Sequence, residues 1–95
     1  MTLDVAPPTT DRRDELVGRL FQSAIETAEI LSIAVGDRLG LYAALPVDGD
    51  VTAATLSARL GIDERLTREW LEQQAVAGIL EVDDSAAAAD LRRYL

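Results

Sequence analysis

The sequence predicts a mainly α-helical domain: one long helix, a pair of shorter helices joined through a glycine turn, and a small two-stranded β-ribbon at the end. A helically spaced apolar stripe occupies residues 16–28. Two segments with capping residues flank Gly61. A short apolar run at 79–82 is followed, across an Asp-Asp-Ser turn signal, by an alternating tail at 91–95.

Residues 1–10 read as a disordered N-terminal arm, because Pro7-Pro8 blocks helix formation; residues 11–95 read as one folded domain. Thr9, Thr10 or Asp11 is placed to cap the helix that follows. With 100° per residue from Leu16, the apolar side chains Leu16, Val17, Leu20, Phe21, Ala24, Ile25 and Ala28 fall in one half-cylinder. Gly18, Arg19, Gln22, Ser23, Glu26 and Glu29 fall outside it. The pattern then changes. "ILSIAV" at 30–35 carries no charge, and Ile30 and Ile33 point to the formerly polar side. A helix that is apolar nearly all round is covered on more than one side. Either a second body covers these two isoleucines, or a later element of the same chain does.

In "GDRLGLYAALPVDGD", Gly36 is placed to end or bend the long helix. Leu39, Leu41, Tyr42 and Leu45 suggest a short second helix, and Pro46 and Gly49 a loop. Thr52 suits the N-cap of "AATLSARL", with Leu56 and Leu60 at i and i+4. Gly61 suits a left-handed helix end, Ile62 anchors the turn, and Asp63 caps the next helix. Leu66, Trp70, Leu71 and Ala75 form its stripe, and Gly78 ends it. "ILEV" and "LRRYL" are β-prone, with Leu91 or Tyr94 opposite the first strand. Helix, turn, helix and two-stranded ribbon make a winged helix-turn-helix.

The bulk properties bound the function. A chain of 95 residues is one small domain, of a size that buries only about 60–65% of its unfolded surface. With no Cys and no His, disulfides, thiolate or imidazole metal sites and His-based nucleophilic catalysis are excluded. Asp83-Asp84 reads as a turn and not as a metal site, since several oxygens would have to converge. No signal-peptide run is present, and no apolar stretch reaches the roughly 18 residues of a membrane span. A cytoplasmic location is expected. The net charge is −8, and the cations are nine arginines with no lysine. Nucleic-acid affinity draws on Lys and Arg neutralising phosphates, so nucleic acid is an unexpected partner and a protein the expected one.

The segments "GDRLGLYAAL", "TAATLSARLGIDERLTREWLEQQAVAGILEVDD" and "RRYL" together resemble the N-terminal winged-helix domain of bacterial class I S-adenosylmethionine-dependent methyltransferases. The resemblance runs from about Arg19 to Leu95 and is most specific at residues 36–42, at residues 68–71 and at Ala77-Gly78. It implies a non-catalytic dimerisation and substrate-lid module that precedes a Rossmann-like catalytic domain. It also implies that S-adenosylmethionine belongs to that other domain. No cofactor is expected in this chain, whose glycines (18, 36, 40, 49, 61 and 78) include no G-x-G spacing. The chain then corresponds to an excised domain, a truncated product or one piece of a split enzyme.

No catalytic, cofactor or metal residue is assigned. The expected interface to a second copy or to a methyltransferase catalytic domain is Leu20, Phe21, Ala24, Ile30, Ile33 and Ala34. If the domain is instead a DNA-binding regulator, Arg65, Arg68, Arg92 and Arg93 are the contacts. The arginines of the second helix of the pair also suit i, i+4 pairs, Arg65 with Glu69 and Arg68 with Glu72. Arg92 and Arg93 have Asp83, Asp84 and Asp90 nearby for local neutralisation. A stand-alone interaction protein is the remaining alternative. Trp70 and Tyr42 are expected in the core, the Tyr42 hydroxyl at its edge.

Overall fold

A computed structural model describes residues 10–83 and 87–95. The expected arm lies outside them except for Thr10, which opens the first helix; the Asp83-Asp84-Ser85 turn lies outside them after Asp83. Among the described residues the order is α1 (Thr10–Arg38), α2 (Leu41–Ala44), α3 (Ala53–Leu60) and α4 (Glu64–Val76), with a 3-10 turn at Ala89–Leu91.

The 29 residues of α1 make a rod of about 43 Å at 1.5 Å per residue, and the molecule measures 64 × 29 × 23 Å. Gly36 neither ends nor bends this helix out of register: α1 continues to Arg38. Every residue from 10 to 28 is exposed, and among the described elements the last third of α1 carries the contacts to α2 and α4. Leu39 sits in the following turn and stays half-exposed, while Leu41 of α2 is buried.

The helix pair is built as its caps dictate. The Thr52 hydroxyl accepts from the Thr55 N–H at 3.2 Å, and the Asp63 carboxylate accepts from the Leu66 N–H at 2.8 Å. Between them Gly61 takes φ 65°, a left-handed conformation that costs a glycine little. Val51, just before the Thr52 cap, and Leu56 in the first turn of α3 are both buried in the core, as in a hydrophobic staple. Leu41, Val51, Ala53, Leu56, Trp70, Leu71 and Tyr94 form that core, with Ile62 and Ala75 packed against it.

In place of the expected two-stranded ribbon, the described residues hold isolated antiparallel bridges, Val51 with Tyr94 and Val82 with Tyr94. Val51 and Tyr94 exchange both backbone bonds at 2.9 Å, and Glu81 and Leu95 exchange theirs at 2.7 and 2.9 Å. Tyr94 sits opposite the 79–82 segment; Leu91 lies in the 3-10 turn and is exposed. The Asp83 N–H also donates to the Arg93 carbonyl at 2.8 Å, so the tail is held between residue 51 on one side and residues 81–83 on the other.

Candidate association surface

The docked face of α1 is small and polar. Ser32 and Gly36, at i and i+4, point to α4, about a quarter of a turn from the centre of the apolar stripe, and Glu29 one turn earlier is partly buried. Gly36 is buried: a Cβ there would overlap the Trp70 ring and lie 2.6 Å from Tyr42 Cε2. The Trp70 and Tyr42 rings meet edge to face with centroids 5.0 Å apart.

Hydrogen bonds complete the joint. Trp70 Nε1–H donates to the Ser32 carbonyl at 2.9 Å. The Ser32 hydroxyl donates to Gln73 Oε1 at 2.6 Å, and Gln74 Nε2 donates to Ser32 Oγ at 3.2 Å and to Gln73 Oε1 at 2.8 Å. The Tyr42 hydroxyl donates to Gln74 Oε1. The Tyr42 hydroxyl therefore works inside the joint and not at the core's edge. Burial pushes the Tyr42 pKa above its usual value, and the nearby Asp37 carboxylate adds to this.

The six residues of the expected interface all lie open. Leu20 is 57% exposed, Phe21 68%, Ile30 66% and Ile33 41%, and Ala24 and Ala34 are exposed as well. The physical reason is Gly36 with Ser32. A missing side chain lets two aromatic rings approach, and a hydroxyl joins their polar atoms, so docking uses none of the large α1 residues.

The structure adds residues that the sequence reading left out of the surface. Leu31 and Val35 continue the stripe, as extending the 100° count past residue 28 shows. Leu39 lies beyond the helix end. Leu66, expected within the α4 stripe, is instead 63% exposed. Val35, Leu39, Leu66 and Trp70 line an apolar groove of about 440 Å³, with Asp63 at its side. No local sequence signal marks that groove, because two helices and a turn build it.

The four alternative DNA-contact arginines each face a carboxylate. Arg65 pairs with Glu69 at 3.4 Å and Arg68 with Glu72 at 3.7 Å along α4. Arg92 reaches Glu72 at 3.6 Å, and Arg93 reaches Asp50 at 3.7 Å. The i, i+4 pairs are the expected ones. The last two draw partners from α4 and the 46–52 loop, and of the aspartates expected beside them Asp84 lies outside the described residues. Beside them Tyr94 is buried, and its hydroxyl has no hydrogen-bond partner among the described residues. Burial raises its pKa and Glu72 adds to this; Arg92 pulls the other way, but its guanidinium is directed to Glu72 and the Ala87 carbonyl.

Among the described residues no acid cluster is placed to hold a metal ion, and no helix is long and apolar enough to cross a membrane. A capped helix-turn-helix, with its tail bridged back beside the core, is a winged helix-turn-helix. Residues 27–93 match the Rv2258c-like winged HTH domain, and the chain belongs to that family. The match begins at Thr27, so it takes in the anchored third of α1 and leaves the projecting part ahead of it. No curated protein matches the chain.

Proposed function

We propose that the domain is a non-catalytic association module of an S-adenosylmethionine-dependent methyltransferase, joining protomers and helping to cover the acceptor site of a catalytic domain. The observation that carries it is the open apolar stripe of α1, held away from the body by a joint that uses none of it. The methyltransferase link rests on the sequence resemblance around residues 36–42 and 68–71. In this reading the chain binds no cofactor, works in the cytoplasm, and meets other proteins through Leu20, Phe21, Ala24, Ile30, Ile33 and Ala34. The bridged tail is the remnant of a two-stranded wing.

The same fold serves DNA-binding regulators, and a gel shift separates the two readings. Phosphate contacts confer steeply salt-dependent affinity. With Arg65, Arg68, Arg92 and Arg93 already facing carboxylates, no duplex binding is expected at physiological ionic strength. Tight, salt-sensitive binding lost in Arg68→Ala would replace the association reading. Sedimentation at micromolar concentration supplies the positive test: an assembly larger than one chain is expected. Ile33→Asp should weaken it while the far-UV helix signal persists.

A further inference from the structure

We infer that the hollow between the last turn of α4 and the bridged tail binds a small organic carboxylate with an apolar body. The inference stands apart from the association reading, since it uses none of the α1 stripe.

Size and lining set the class of ligand. The hollow measures about 180 Å³. Ala75, Val76 and Val82 make its apolar side, and Glu72, Arg92 and Tyr94 its polar side. A cavity of about 150 Å³ accepts benzene, so this one suits a single ring or a short branched chain and is too small for a peptide. Val76, at the end of α4, is 89% exposed, and an apolar body in the hollow would cover it.

The polar side is short of one negative charge. Arg68 and Arg92 turn to the same oxygen, Glu72 Oε1, at 3.7 and 3.6 Å. Both distances exceed the roughly 2.7–2.9 Å of a good charge-assisted hydrogen bond, and one carboxylate balances only one of two guanidinium groups. Arg65, by contrast, has Glu69 to itself. An incoming acid can therefore take Arg92 while Glu72 keeps Arg68, its i, i+4 partner. Arg92 is held ready for this, because its Nε–H donates to the Ala87 carbonyl at 3.1 Å. The negative end of α4 does not oppose the acid. The carbonyls of Gln73, Gln74 and Ala75 already accept from the N–H groups of residues 77–80.

Tyr94 supplies the second donor. It is 1% exposed, and its hydroxyl has no hydrogen-bond partner among the described residues. Of the two hollows that Tyr94 borders, this is the one lined by Glu72 and Arg92, whose charges act on the hydroxyl. The hydroxyl is closed to water, so the acid reaches it as the long Glu72–Arg92 contact opens. A carboxylate oxygen there turns a stranded donor into one with a charged acceptor, the most favourable kind of neutral-donor bond.

The test titrates the full chain, labelled with nitrogen-15, with sodium benzoate and with benzamide, which has nearly the same shape and no charge. Benzoate should give saturable amide shifts at residues 72–76, 82 and 92–94, with a dissociation constant on the order of 1 mM for so small a ligand, and benzamide should bind about tenfold more weakly or worse. Arg92→Gln and Tyr94→Phe should each weaken benzoate about tenfold, and Glu72→Gln should tighten it several-fold, because the competing anion is gone. Tyr94→Phe keeps the core ring, and its amide spectrum away from the hollow checks that the fold persists. Equal affinity for benzamide makes the hollow an apolar cavity only and overturns the inference. So does an unchanged benzoate affinity in both Arg92→Gln and Tyr94→Phe, or the lack of any saturable shift with benzoate up to about 50 mM.

Discussion

Replacing Gly36 by Ala, with Gly18→Ala as its control, tests the joint between α1 and the body. Both glycines lie inside α1, where alanine is favoured over glycine by about 1 kcal/mol. At Gly18 a new Cβ meets nothing within 4 Å, so that preference is realised and stability rises by up to about 1 kcal/mol. At Gly36 the Cβ overlaps the Trp70 ring and comes to 2.6 Å from Tyr42 Cε2 and 3.0 Å from Trp70 Cε2. Normal carbon contacts are about 3.5–4.0 Å, so the rings must move by about an ångström. They are not free to do so cheaply: the Trp70 N–H is bonded to the Ser32 carbonyl and the Tyr42 hydroxyl to Gln74. Overpacking costs about 1–3 kcal/mol, and each strained hydrogen bond about 1 kcal/mol. After the propensity gain, a net loss of about 2 kcal/mol remains, on the order of 10 °C in Tm for a domain of this size. Urea and thermal unfolding at fixed protein concentration, followed by the single Trp and by circular dichroism, measure both variants. If Gly36→Ala is as stable as Gly18→Ala, the rings do not pack on Gly36 and the docked face has been misassigned.

The two core tyrosines should respond oppositely to loss of the hydroxyl. Tyr42→Phe strands the buried Gln74 oxygen and should cost about 1–3 kcal/mol, whereas Tyr94→Phe removes an unpartnered buried hydroxyl and should be neutral or stabilising by up to about 1 kcal/mol in urea titrations. A destabilised Tyr94→Phe would mean that the hydroxyl has a partner. Both tyrosines also predict alkaline weakening. Their folded pKa values lie above the unfolded value of about 10, so their contribution is complete below pH 10 and is lost as pH rises through the raised folded values. Midpoint against pH should therefore fall above pH 10 and flatten in the double Tyr→Phe variant; an unchanged slope would show that other groups set it.

The local grammar of the fold was legible in the sequence and its long-range choices were not. Thr52, Gly61 and Asp63 act on atoms a few residues away, so residue type alone gave the caps and the turn. The pairs Arg65–Glu69 and Arg68–Glu72 follow from helical spacing in the same way. Gly36 misled because a helical glycine has two uses. A helix end needs its backbone freedom; here only its lack of a side chain matters, and the rings that require this are supplied by Tyr42 and Trp70, six and 34 residues later. Val51 carries no sequence signal of its role, because a single residue bridging Tyr94 leaves no period-2 trace. The candidate interface was half legible. Periodicity found the stripe, but only the tertiary joint decides which side of α1 is left uncovered.

That joint explains how one helix can be firmly attached and still present its apolar side. A purely hydrophobic dock would have drawn on Leu20, Phe21 or Leu31 and would tolerate sliding and rotation. Here the contact is a glycine, a serine and a ring of directional bonds through Trp70, Gln73, Gln74 and Tyr42, most of whose polar atoms have partners. Such a network loses its hydrogen bonds if α1 turns on its axis, so it fixes the rotation of the rod as well as its attachment. The stripe is therefore held at a set orientation, and apolar contact with it needs no prior ordering of the helix. A duplex approaching α4 meets the reverse situation. It would have to take Arg65 and Arg68 from Glu69 and Glu72 while bringing phosphates toward Asp63 and Glu64 as well. On this surface, apolar contact gains from what is already organised, whereas phosphate contact must first undo it.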